Sequence, residues 1–123
     1  RRIYRVGNEN TGGNTMTDAF KEMYEVIQNR RENPQEGSYT CYLFEKGLDK
    51  ILKKCGEECT EMVIAAKNKD NDELANEIND LFYHVAVLMA ERGLSVEEVD
   101  AIMSERAKKI GNLKQFHTSD HNT

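Results

Sequence analysis

Five carboxylates in this sequence stand at spacings that chemistry could use. Glu57, Glu58 and Glu61 form the run Glu-Glu-x-x-Glu, and after 15 intervening residues comes a second pair, Glu77-x-x-Asp80. At about 100° per residue, a helix with Ile51 and Met62 on its apolar face carries Glu58 inside that apolar sector. Glu61 and Glu57 fan out toward one flank, about 80° and 120° from Ile51. On a following helix, Glu77 and Asp80 take the rim of the face centred on Ile78. A carboxylate at a core edge is costly unless something compensates it. Glu58 with Glu61 and Glu77 with Asp80 are two i, i+3 pairs on adjacent helices, and their four hard oxygen donors suit Mg²⁺ or Mn²⁺. Any one of these acids alone reads as solvated surface charge; the joint pattern points to a cation.

The elements that must position these acids all read as helical. Phe20, Met23, Tyr24 and Ile27 recur at i, i+3, i+4, i+7, and Asn33-Pro34 with Gly37 ends that first helix. Leu43, Phe44, Leu48, Ile51, Leu52, Cys55, Cys59, Met62, Val63 and Ala66 predict one long second helix, with Gly47 and Gly56 tolerated inside it. Asn68 to Asn71 breaks the pattern, and Asp70 with Glu73 resembles a capping box that opens a third helix. Leu74, Ile78, Leu81, Phe82, Val85, Leu88 and Met89 form its buried face, and Gly93 stops it. Ser95 with Glu98 opens a fourth helix carrying Val96, Val99, Ile102 and Met103. The expectation is an all-α, antiparallel bundle of four to five helices. Its second and third helices should be antiparallel neighbours. Their apolar faces exceed what four short helices cover in one chain, so a homodimer is expected to bury the surplus.

Composition limits the alternatives. The chain has 123 residues, 38% hydrophobic and 32% charged, with one Pro and no Trp, which describes one domain. Residues 16–110 supply the helices, 1–15 read as a flexible arm or linker, and 111–123 as a polar tail. The 22 acids exceed the 17 bases, and the net charge of -5 argues against a protein that holds nucleic acid by neutralising phosphates. A nucleotide bridged to carboxylates by metal ions stays compatible with that charge. The three cysteines are too sparse for a disulfide scaffold, so reduced thiols and a cytoplasmic location are expected. Cys55 and Cys59 lie one turn apart without a complementary Cys or His pair, and core packing is the expectation for both. The longest apolar stretch, Val85 to Ala90, falls far short of the roughly 20 residues a membrane span needs.

The acid pattern and its surroundings resemble a known family. Glu57-Glu58-x-x-Glu61 with Glu77-x-x-Asp80 is similar to the signature of the all-α, MazG-type nucleoside triphosphate pyrophosphohydrolases. Ser38-Tyr39-Thr40, Leu43-Phe44-x-Lys46-Gly47, the run from Lys50 through Lys53-Lys54-x-Gly56-Glu57-Glu58, Ala65-Ala66-Lys67, Asp80-Leu81-x-Tyr83-His84, Arg92-Gly93-Leu94-Ser95 and Arg106 narrow the resemblance to phosphoribosyl-ATP pyrophosphatases, the second-step enzymes of histidine biosynthesis. The resemblance implies Mg²⁺-dependent hydrolysis of phosphoribosyl-ATP to phosphoribosyl-AMP and pyrophosphate by a homodimer of helical chains. By the same match, Glu58, Glu61, Glu77 and Asp80 become metal ligands, while Glu57 has three open roles: ligand of a second ion, orienter of the attacking water, or general base. Cleavage between the α and β phosphates needs an in-line water and neutralisation of the leaving pyrophosphate, with no side-chain nucleophile.

Lys46, Lys50, Lys53 and Lys54 precede the acids and are candidates for the substrate's phosphates, as is Arg106. His84, seven residues after Glu77, is a candidate to hydrogen-bond a ligand carboxylate or the substrate, with orienting or simple packing roles expected ahead of direct ligation. His117 and His121 fall in the polar tail and need no function. Three rivals are weighed against this reading. Ferritin-like di-iron bundles require Glu-x-x-His elements, and Glu61 and Asp80 stand where those histidines would be. A sister enzyme of the MazG type, acting on ordinary or damaged nucleoside triphosphates or dUTP, shares the acid motif. A helical dimerisation module would use the acids as surface charge only. The basic start Arg1-Arg2-Ile3-Tyr4-Arg5 and the Gly/Asn-rich run after it resemble the stub of a fusion to a phosphoribosyl-AMP cyclohydrolase domain; a vector-derived arm before Met16 is the competing origin.

Overall fold

The computed structural model describes residues 15–111, and these form five helices with no strand. The arm at 1–14 and the tail from 112 onward, with His117 and His121, lie outside the described residues. Helix α1 (Met16–Glu32) opens on a capping box: the Asp18 N–H donates to the Thr15 hydroxyl at 3.1 Å, and the Thr15 N–H to the Asp18 carboxylate. It ends before Pro34, as its sequence predicts.

The expected second helix is two helices. Helix α2 (Tyr39–Lys46) and helix α3 (Leu48–Lys67) meet at Gly47, which has φ 94° and ψ -175°. Only glycine adopts that conformation readily, so the residue that looked tolerable inside one helix is the joint between two. The Gly47 N–H still donates to the Leu43 carbonyl, and its own carbonyl accepts from Ile51, so both backbone groups of the joint residue stay paired. Ser38 caps α2 by accepting from the Cys41 N–H at 3.1 Å.

Helix α4 (Asn71–Arg92) starts at Asp70, whose carboxylate accepts from the N–H groups of Asp72 and Glu73. It stops at Gly93 with φ 71°, the left-handed cap expected there. Helix α5 (Val96–Gly111) starts with the full Ser95–Glu98 box. Three residues separate α3 from α4, and the two pack along each other more extensively than any other pair. A connection that short permits this only in antiparallel orientation.

The core joins Tyr24 and Ile27 of α1, Leu43 of α2, Ile51 of α3 and Ala86, Val87, Met89 and Ala90 of α4. Only the first turn of α5 joins it, through Val96 and Val99. Ile102 and Met103, expected on a packed face, are 57% and 60% exposed because α5 runs off the bundle. Leu52 and Val63 of α3 are likewise exposed, since the part of the stripe they occupy turns away from α4. Cys59 is exposed too, against the core packing expected of it, whereas Cys55 is half-buried. Burial pushes the Cys55 thiol upward and keeps it protonated. Among the described residues no helix is long and apolar enough to cross a membrane.

Candidate active site

The antiparallel pair α3 and α4 brings together three of the predicted acids. One carboxylate oxygen each from Glu58, Glu77 and Asp80 lies within 4.8 Å of the other two. Around an octahedral Mg²⁺, oxygens are about 2.9 Å apart when adjacent and about 4.1 Å when opposite. The trio's spread, at most 4.8 Å, is close to those separations. Glu61 does not join the trio and is exposed, though its charge reaches Glu77.

Electrostatics mark Glu77 as the crowded member. Partial burial raises its pKa above the ordinary glutamate value, and Asp80, Glu61, Glu58 and Glu73 push it further in the same direction. A cation bound beside Glu77 would oppose that upward shift, since it favours the ionised carboxylate. The signs follow directly. A carboxylate whose folded pKa is raised favours the fold below its ordinary pKa, and that contribution is lost as pH rises through the raised value. In chelator, acidification from neutrality toward about pH 4.3 therefore relieves the strain at this residue. If Mn²⁺ binds the trio, the dependence should invert, because protons would compete with the ion. Calorimetric melts across that window should show the Mn²⁺-induced rise in Tm shrinking on acidification, beginning above the pH at which an ordinary glutamate titrates.

Lys54 is the cation already present. Its ammonium lies 3.1 Å from Glu57 and 3.6 Å from Glu58, whose side chain is only 14% exposed. The Glu57 contact raises the Lys54 pKa, and the same hydrogen bond holds Glu57 below the usual glutamate range. Its evident part is to hold Lys54 beside Glu58.

His84 is 5% exposed, and both its ring nitrogens are used inside the protein. Nδ1 lies 2.8 Å from the Asp80 main-chain carbonyl, and Nε2 lies 3.0 Å from the Tyr39 hydroxyl. A carbonyl only accepts, so Nδ1 carries the proton; in the neutral ring Nε2 then accepts from Tyr39. Both ring nitrogens are thus engaged within the chain, an arrangement suited to the orienting role. His84 ties α2 to the turn of α4 that bears Asp80. The other expected phosphate ligands divide. Lys46 and Lys50 each place their ammonium 5.8 Å from the centre of the Tyr42 ring, and Lys53 is exposed. Arg106 lies on the exposed part of α5 and forms no ion pair with a described residue.

Sequence reasoning passed over an aromatic group beside the acids. Tyr39 stacks on Tyr42 and Tyr83 at 6.0 and 6.2 Å, and meets His84 edge-on at 5.7 Å. Thr40 and Tyr83 share a hydrogen bond that fixes the start of α2 to α4. The available signal was Tyr39 and Tyr42 at i, i+3 just ahead of the lysines.

The sequence profile of phosphoribosyl-ATP pyrophosphohydrolases matches residues 20–107, from the middle of α1 into α5 and across every acid of the site. The chain belongs to this family. Its relatives include proteins named phosphoribosyl-ATP pyrophosphatase from Streptococcus gordonii, 58% identical over 76% of this chain and 90% of that protein, and from Streptococcus sanguinis, 52% identical over 83% and 98%. A namesake from Clostridium novyi is 52% identical over 79% of this chain and 88% of its own.

Proposed function

We propose that this chain, an enzyme of the hydrolase class by its family, cleaves phosphoribosyl-ATP to phosphoribosyl-AMP and pyrophosphate in histidine biosynthesis, with Mg²⁺ or Mn²⁺ held by Glu58, Glu77 and Asp80. The observation that carries this reading is the convergence of those three carboxylates from two antiparallel helices. A divalent ion there supplies charge neutralisation for the polyphosphate and activation of water. The chain's own residues do the rest. Glu58 and Lys54 stand next to each other, so Lys54 is placed to exchange its carboxylate partner for a phosphate oxygen when substrate arrives. His84 and Tyr39 fix the turn of α4 bearing Asp80. Glu61, on the flank, is available as a further ligand once a cation draws it inward. A second copy of the chain, covering Leu52, Val63 and Ile64 on α3, completes the proposal.

Incubation with phosphoribosyl-ATP and Mg²⁺ should release pyrophosphate rather than orthophosphate, and Glu58→Ala should lose both the release and the Mg²⁺-dependent thermal shift. Turnover confined to ordinary nucleoside triphosphates would transfer the chain to the sister activity. An unchanged rate in Glu58→Ala would remove the metal assignment.

A further inference from the structure

The four lysines ahead of the acids do not form one set. Lys54 is neutralised by Glu57 and Glu58, whereas Lys46 and Lys50 have no carboxylate within ion-pair distance among the described residues. Both ammonium groups instead approach one ring, Tyr42, each 5.8 Å from its centre, one from each side of the Gly47 joint. At exposed positions a cation–π contact is weak, too weak to be the reason for gathering two like charges. This happens in a chain with net charge -5, where carboxylate partners are plentiful. Two unpaired ammonium groups beside an aromatic face describe a site for a phosphate monoester on a flat or ring-shaped body.

The position of Tyr42 says which phosphate. Tyr39 stacks on Tyr42 at 6.0 Å, and the Tyr39 hydroxyl feels the charges of both Lys54 and Glu58. Carboxylate trio, Lys54, Tyr39 and Tyr42 are therefore linked neighbour to neighbour, and Lys50, whose charge also reaches Tyr39, stands one helical turn before Lys54. The triphosphate is claimed by the metal end. A substrate of this reaction has a second anion, the phosphate of its added ribosyl group, remote from the bond that breaks. We propose that Tyr42, Lys46 and Lys50 form a separate sugar-phosphate subsite that receives the phosphoribosyl end of phosphoribosyl-ATP and so distinguishes it from a plain nucleoside triphosphate. This rests on the reaction proposed above.

Steady-state hydrolysis of phosphoribosyl-ATP tests it, with the Lys46→Gln/Lys50→Gln double variant, the Lys46→Arg/Lys50→Arg variant and Tyr42→Leu. The double Gln variant should raise KM about tenfold or more, with kcat within about threefold, as expected when a binding contact remote from the reacting bond is lost. The Arg variant should keep KM near that of the wild type, and Tyr42→Leu should fall between the two. Ribose 5-phosphate should compete with substrate in the wild type and lose that competition in the double Gln variant. Unaltered melting temperature and Mn²⁺ shift in the variants exclude misfolding as the cause. Wild-type turnover with an unchanged KM in the double Gln variant overturns the subsite alone. A loss confined to kcat also overturns it, since the lysines would then act at the metal end. A wild type that leaves phosphoribosyl-ATP intact overturns the reaction and the subsite together.

Discussion

Glu77→Gln should lower pyrophosphate release by about two to three orders of magnitude while making the metal-free chain more stable. The two effects have one origin. Glu77 is held near Glu58 and Asp80, with Glu61 and Glu73 adding their fields, and its ionised form is penalised in the folded state. Replacing the carboxylate by a neutral amide of the same shape removes that repulsion, so the melting temperature in chelator should rise. The same change removes one of three anionic donors, and a hard dication loses more from a missing anionic oxygen than from any other alteration of the trio. Mn²⁺ should then raise the melting temperature much less than in the wild type. If Glu77 were an ordinary surface acid, the substitution would move neither rate nor melt. If it were a structural ion-pair partner, stability would fall. A stability gain coupled to a loss of rate separates a functional carboxylate cluster from both.

The extent to which this site was legible in the sequence follows from how local each part is. Helix ends are decided within four residues, so the Ser95–Glu98 box, the Asp70 cap and the Gly93 stop could be read directly. The Gly47 joint could not, because Phe44 and Leu48 continue the apolar pattern in step across it and a glycine's letter does not announce a positive φ. Helical spacing placed Glu58 inside the apolar sector and Glu61 well to one side, and the structure keeps that distinction: Glu58 faces α4 and joins the trio, and Glu61 stays on the flank. Treating the two as equal donors set aside information the spacing contained. The Tyr39–His84 hydrogen bond spans 45 residues, and no local pattern pairs residues that far apart. The division of the lysines depends on the same long-range packing, since it is set by which of them meet Tyr42 and which meet Glu58.

Two neighbouring residues on α3 should respond in opposite ways to truncation. Ile51 is fully buried, whereas Leu52 is 46% exposed, although both belong to the apolar stripe read from sequence. Ile51→Ala should cost about 2–5 kcal/mol and lower the urea midpoint at every protein concentration, because it opens a cavity within the core that seats α3 against α2 and α4. That seat also sets the distance between Glu58 on α3 and Glu77 and Asp80 on α4, so the variant's Mn²⁺ shift and its turnover should weaken even where it remains folded. Leu52→Ala opens no cavity in the single chain. Its effect should appear only through the second copy, as a midpoint that falls on dilution more steeply than in the wild type, with a sedimentation profile shifted toward the monomer. A loss in Leu52→Ala that is large and independent of concentration would place Leu52 in the intrachain core and leave the second copy without its apolar seat. A small loss in Ile51→Ala would mean that α3 is held against α4 by the polar contacts at the site rather than by the core beneath it.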